Sequence, residues 1–77
     1  MSDDQKKIKG IAEIVRVIIQ LYDSKKEIDQ YAIAARICGK YHIQTPKFTE
    51  IMLSIPDNYK EKIIPLLKVK PIRTASG

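Results

Sequence analysis

A small all-α bundle is the fold this sequence predicts, and three observations predict it. Apolar residues recur at helical spacing through four separate stretches. Each stretch is bounded by residues suited to helix ends. Only Leu67–Lys70 alternates as a strand would, and Pro71 bars it from the middle of a sheet. The expected architecture is a helix-turn-helix-like central pair, Asp29–Ile55, with the flanking helices wrapped around it and a short extended carboxyl-terminal tail. Residues 1–66 are expected to form the helical domain and residues 67–77 a basic linker.

The first helix is expected over Asp4–Asp23, after a polar start at Met1–Gln5. Ile8, Ile11, Ala12, Val15, Ile18, Ile19 and Tyr22 form a long apolar stripe, and Ile14, Val17 and Leu21 widen it. Lys9, Glu13, Arg16 and Gln20 leave a narrow polar seam with favourable pairs three and four residues apart. A helix this apolar is either buried on two sides or docked on a partner. Ile14, Val17 and Leu21 are therefore expected to meet protein absent from this chain; the alternative is cover by the last helix. Ser24–Glu27 reads as a polar connection.

Asp29 is suited to cap the second helix, because its carboxylate accepts from free N–H groups of the first turn. Tyr31, Ala34, Ala35, Cys38 and Tyr41, with Ile37 beside them, give the expected buried face. Arg36 and Lys40 fall four apart on the opposite side. The pattern breaks at Tyr41–Gln44, which places His42 just past the helix end in a left-handed conformation. Thr45 and Pro46 are expected to restart a helix, as cap and first residue, with Phe48, Ile51, Met52 and Ile55 as its buried stripe. Asp57 is expected to cap the last helix, whose stripe is Tyr59, Ile63, Leu66 and Leu67. Pro65 removes a helical hydrogen bond and predicts a kink or an end near Ile64.

Charge is placed unevenly. The net charge of +5 arises entirely beyond residue 29, since residues 1–29 hold equal numbers of bases and acids. Arg36, Lys40 and Lys47 outweigh Glu50 in the middle, and Lys60, Lys62, Lys68, Lys70 and Arg73 outweigh Asp57 and Glu61 at the end. These eight cations are the candidate phosphate contacts, and the asymmetry favours phosphate-bearing partners. Tyr59 is a candidate base-stacking residue, although its spacing with Ile63 suits the core better. A sequence-specific DNA reader is disfavoured. The exposed positions expected on the second helix of the pair are Lys47, Thr49, Glu50, Leu53 and Ser54, with no Arg, Asn or Gln to grip base edges.

Several function classes are excluded. A single cysteine, Cys38, cannot build a disulfide framework, a four-cysteine zinc site or an iron–sulfur cluster. The only histidine, His42, falls in a turn, and no Ser/His/Asp or Cys/His set converges. Gly10, Gly39 and Gly77 make no phosphate loop. No aliphatic run approaches the roughly 20 residues of a membrane span, and the amino terminus lacks a signal-peptide core, so the expected compartment is the cytoplasm. No catalysis is expected of this chain. Its residues leave open an RNA-binding module, a free-standing helix-turn-helix DNA-binding protein, or a protein-docking module in which the charge is incidental.

The run Leu67–Gly77, above all Lys70–Gly77, resembles the junction between the N-terminal and radical-SAM domains of the Elongator catalytic subunit family. Upstream, the proline, tyrosine, basic and aliphatic pattern of Pro56–Lys68 is similar to that family, as are Lys40, Tyr41, Pro46 and Ile51. The family often has glycine where His42 stands. The resemblance implies an excised tRNA-binding N-terminal domain that delivers tRNA to catalytic domains. It implies that those domains modify the wobble uridine with a 4Fe-4S cluster, S-adenosylmethionine and acetyl-CoA, all held beyond Gly77. Lys70 and Arg73 match the junction motif itself, whereas Lys60, Lys62 and Lys68 are assigned from charge placement alone.

Overall fold

The computed structural model describes residues 3–68. Lys70 and Arg73, and the alternation expected beyond Lys68, lie outside the described residues. The chain forms α1 (Asp3–Asp23), α2 (Gln30–Tyr41), α3 (Phe48–Ser54) and α4 (Asp57–Ile63), followed by a 3-10 turn, Ile64–Leu66. No strand occurs among the described residues. The hub is α1, which packs against α2, α3 and α4.

The two longer helices end alike. The α1 terminus closes with Lys26 N–H donating to the Leu21 carbonyl and Lys25 N–H to the Tyr22 carbonyl, at 2.9 and 3.0 Å. Lys25 takes the left-handed conformation this closure requires, at φ 59°. His42 does the same after α2, at φ 58° and ψ 48°, as its sequence position predicts. Asp29 caps α2 as expected, accepting from Ala32 N–H at 3.2 Å. Pro65 ends α4 as expected: regular helix stops at Ile63 and the chain tightens.

The second helix of the central pair starts later than its sequence predicts. Thr45 and Pro46 stay in the connection, and Lys47 is the cap position of α3. The Glu50 carboxylate accepts from Lys47 N–H at 2.8 Å, the reach-back bond of a capping box with Lys47 at the cap and Glu50 three residues on. The connection therefore runs from His42 to Lys47, and α3 has only 7 residues. At the other end Pro56 is the cap position of α4 and Asp57 its first residue.

Isoleucine dominates the core: Ile14, Ile18, Ile55 and Ile63 are all at most 1% exposed. Each such burial removes apolar surface worth about 1.5–3 kcal/mol from water. Ile51, Ile55, Phe48 and Met52 bury or half-bury α3 as predicted. On α2 the expected face is displaced. Gln30, Ile33, Ala34, Ile37 and Cys38 are buried, Tyr31 and Tyr41 only partly, and Ala35 is exposed. Leu66 is likewise 55% exposed, because the 3-10 turn breaks the helical register that would have turned it inward. Leu67 instead enters the core.

The largest correction concerns α1. Ile14 was expected to face a partner beyond the chain; it is 0% exposed, at the centre of the domain's own core. Val17 and Leu21 are half-buried against that same core. The buried line is Gly10, Ile14 and Ile18, successive positions four apart, joined by Val15. Gly10 admits the α2–α3 connection, since a Cβ there would stand 2.6 Å from the Ile43 Cδ1 atom. The expected inner stripe has its edge outside instead: Ile8 is 66% exposed and Ala12 is exposed.

Candidate nucleic-acid interface

The eight candidate cations are not brought into a single cluster. Arg36 and Lys40 sit one turn apart on the exposed side of α2. Lys47 stands exposed at the start of α3, Lys60 and Lys62 lie on α4, and Lys68 follows the 3-10 turn.

Two of them are engaged by carboxylates. Lys40 Nζ lies 3.3 Å from Glu13 Oε2 and 5.3 Å from the centroid of the neighbouring Tyr41 ring. The Tyr41 hydroxyl donates to Glu13 Oε1 at 2.7 Å, so one carboxylate on α1 gathers two groups of α2. That hydrogen bond first, and the Lys40 ammonium after it, hold the Glu13 carboxyl below its ordinary pKa; Tyr41 is raised in return. Lys60 pairs with Asp57 at 3.2 Å within the first turn of α4. A further bridge, Lys7 to Glu50 at 2.8 Å, ties α1 to α3. It lowers the Glu50 carboxyl, as does the Lys47 N–H donated to it, and raises Lys7.

Arg36, Lys47, Lys62 and Lys68 make no ion pair among the described residues. Arg36, Lys47 and Lys62 are exposed. These are the cations that can meet phosphate without first leaving a carboxylate. Lys68 differs from them in that its backbone is fastened. Its N–H donates to Gln30 Oε1 at 2.9 Å, and Gln30 Nε2 donates to its carbonyl. Gln30, at the start of α2, is 0% exposed. A buried glutamine was not foreseen. Its only trace in the sequence is a polar residue one turn before Ile33 and Ala34, on what proves to be the inner face.

The remaining candidates resolve into structure. The Tyr59 ring meets the Tyr22 ring edge-on at a centroid distance of 6.0 Å, joining α4 to α1. Tyr31 stacks on Phe48 at 6.4 Å, joining α2 to α3. Cys38 is 4% exposed, and burial raises its thiol pKa against a smaller opposing effect of Thr45, so it is a packed thiol rather than a nucleophile. The described residues hold no group of three His, Cys, Asp or Glu that could bind a metal. No helix among them is long and apolar enough to cross a membrane.

Two surface recesses flank these elements. One, of about 750 Å³, lies between the start of α1 and the α2–α3 connection and includes Asp3, Asp4, Gln44 and Lys47. Its acids make it a poor phosphate pocket. The other, of about 380 Å³, is apolar, with Ile8, Ile11, Ala12 and Val15 of α1 and Ser54 of α3.

The chain matches the family model described as the ELP3 N-terminal domain over residues 7–75. It is 39% identical over 70 residues to Elongator complex protein 3 of Dictyostelium discoideum, covering 90% of this chain and 12% of that protein. Elongator complex protein 3 of Saccharomyces cerevisiae is 40% identical over 67 residues, covering 79% of the chain and 12% of the relative. The Bos taurus protein of the same name is 34% identical over 68 residues, covering 87% and 12%. No solved structure matches.

Proposed function

We propose that this chain, which belongs to the ELP3 N-terminal domain family, binds tRNA through backbone phosphates and overall shape for the catalytic domains of an Elongator-type tRNA-modifying enzyme. The chain spans about an eighth of the length of the curated relatives it matches, so it stands for one domain of such a protein. The observation that carries the reading is the set of unpaired cations, Arg36, Lys47, Lys62 and Lys68, on a chain of that family. With Lys70 and Arg73 they give the second half a positive charge that Glu50, Asp57 and Glu61 only partly offset.

Duplex-DNA reading fits less well. The 7-residue α3 presents Thr49, Leu53 and Ser54 to solvent, none of which forms a bidentate contact with a base edge. The parent's proposed chemistry is modification of the wobble uridine by a radical-SAM and acetyltransferase pair, with a 4Fe-4S cluster, S-adenosylmethionine and acetyl-CoA. None of that machinery fits on this chain, whose one cysteine is buried. The chain's own contribution is to bind and orient tRNA.

A second reading, protein docking, has one observation behind it: the apolar recess beside the exposed Ile8. Competition separates the readings. At equal salt, unlabelled transcribed tRNA should displace labelled tRNA at lower concentration than duplex DNA of equal phosphate count. Affinity at physiological salt is expected on the order of 10⁻⁴ to 10⁻⁶ M. Better competition by the duplex overturns tRNA binding in favour of a DNA-binding protein. No displaceable binding at all leaves docking.

A further inference from the structure

We propose that Gln30 is a positioning residue for the basic tail: its buried carboxamide clamps the Lys68 backbone and fixes where the carboxyl-terminal cations leave the domain. The proposal rests on the tRNA-binding reading and deepens it. Glutamine is seldom fully buried, and an unpartnered amide in a core is costly. Gln30 is 0% exposed and is matched on both its acceptor and its donor by one residue, 38 positions away in sequence. Both polar groups of a single peptide-linked residue are therefore held as a neighbouring strand would hold them.

Packing alone does not call for this pairing. Leu67 already anchors the chain end by burying its side chain, 6% exposed. A leucine or methionine at position 30 would fill the same space. What the carboxamide adds is direction, because hydrogen bonds fix the orientation of the Lys68 backbone where apolar contact does not. The point at which the chain continues beyond Lys68 is therefore set by Gln30. Arg36 lies on the same helix as the clamp, about 9 Å further along its axis. Cations from two parts of the sequence are thus referred to one rigid element. Binding is spared the ordering of residue 68, which a free tail would have to undergo on the RNA.

The test compares variants of the 77-residue chain for tRNA affinity across a salt series, with amide hydrogen exchange at residue 68. In the unaltered chain the Lys68 amide should be protected, and in Gln30→Met it should exchange freely. Gln30→Met should weaken tRNA binding by up to about five- to thirtyfold, the equivalent of ordering one residue's backbone. Its salt slope should stay parallel to the original, since no cation is lost. Lys68→Pro and Lys68→Ala both remove the charge, but only the proline removes the N–H that Gln30 receives. Leu67, at ψ 152°, already has the conformation a following proline needs. Lys68→Pro should therefore bind more weakly than Lys68→Ala, and this pair decides the matter if Gln30→Met fails to fold. Equal affinities within both comparisons overturn the proposal. Absence of tRNA binding by the unaltered chain, with the Lys68 amide still protected, overturns it through the tRNA reading and leaves the clamp standing.

Discussion

The two halves of the molecule use charge differently. In the first, residues 1–29 are electrically balanced, and Glu13 and Lys7 of α1 reach out to Lys40, Tyr41 and Glu50 on other helices. In the second, Arg36, Lys47, Lys62 and Lys68 form no ion pair among the described residues, although the Lys47 charge acts on Glu50. The amino half supplies the hub and its ties, and its own cations are balanced in number by acids; the carboxyl half carries the whole excess of positive charge. The comparison teaches that a lysine's sign says little about its availability, which depends on whether a carboxylate already holds it.

Substitutions should therefore separate cleanly into losses of stability and losses of binding. The largest expected effect is structural. Ile14→Ala should cost about 2–5 kcal/mol in urea denaturation, the range for a buried isoleucine truncated in a core, whereas Ile8→Ala should cost under about 0.5 kcal/mol. Similar costs at both sites would mean that the assignment of inner and outer faces of α1 is wrong. Next comes a binding effect without a stability effect. The double variant Lys62→Glu, Lys68→Glu should weaken tRNA binding on the order of a hundredfold at low salt and flatten the salt slope by about 1.5–2. Its melting temperature should barely move.

His42→Gly should raise stability by about 0.5–1 kcal/mol, because a left-handed cap strains a residue with a Cβ but not glycine. Calorimetry would show it as an upward shift in Tm, and a downward shift would mean that the His42 side chain has an unrecognised role. The smallest effects belong to the tied charges. Glu13 and Glu50 have native pKa values below their ordinary ones, so the stability they contribute is complete above the unfolded carboxylate pKa of about 4.3. It declines as pH falls through their lowered native values. Glu13→Gln with Glu50→Gln should lower the urea midpoint slightly at pH 7 and leave a shallower loss on acidification. Lys40→Gln should cost about 0–1 kcal/mol and leave tRNA affinity nearly unchanged, since Lys40 is already paired.

The architecture was legible wherever a single local rule decided it. Asp29, His42 and Pro65 each act through their own backbone neighbours, and each ends or begins a helix where the sequence places it. The orientation of α1 was legible only coarsely, because its apolar arc is wide enough to hold Ile8 and Ala12 as well as Ile14 and Ile18, and the sequence does not mark its centre. Only the convergence of α2, α3 and α4 selects Ile14 and Ile18 over Ile8 and Ala12. The start of α3 was missed for a related reason. Thr45 and Pro46 obey the local capping preference, yet Glu50, pairing at once with Lys47 N–H and Lys7, sets the boundary later. The basic candidates were visible as charges, but their pairing depends on neighbours far away in sequence, such as Glu13 for Lys40. Gln30 was invisible for the same reason, its partner being Lys68.

The central claim is that the free cations of the carboxyl half grip folded RNA. The most direct measurement is the affinity of the 77-residue chain for transcribed tRNA as salt is raised. Contacts from Arg36, Lys47, Lys62, Lys68, Lys70 and Arg73 predict a log–log slope of roughly −4 to −5.5, a loss of about three hundredfold to two thousandfold between 50 and 200 mM. A slope near zero, or no association even in dilute buffer, would contradict it.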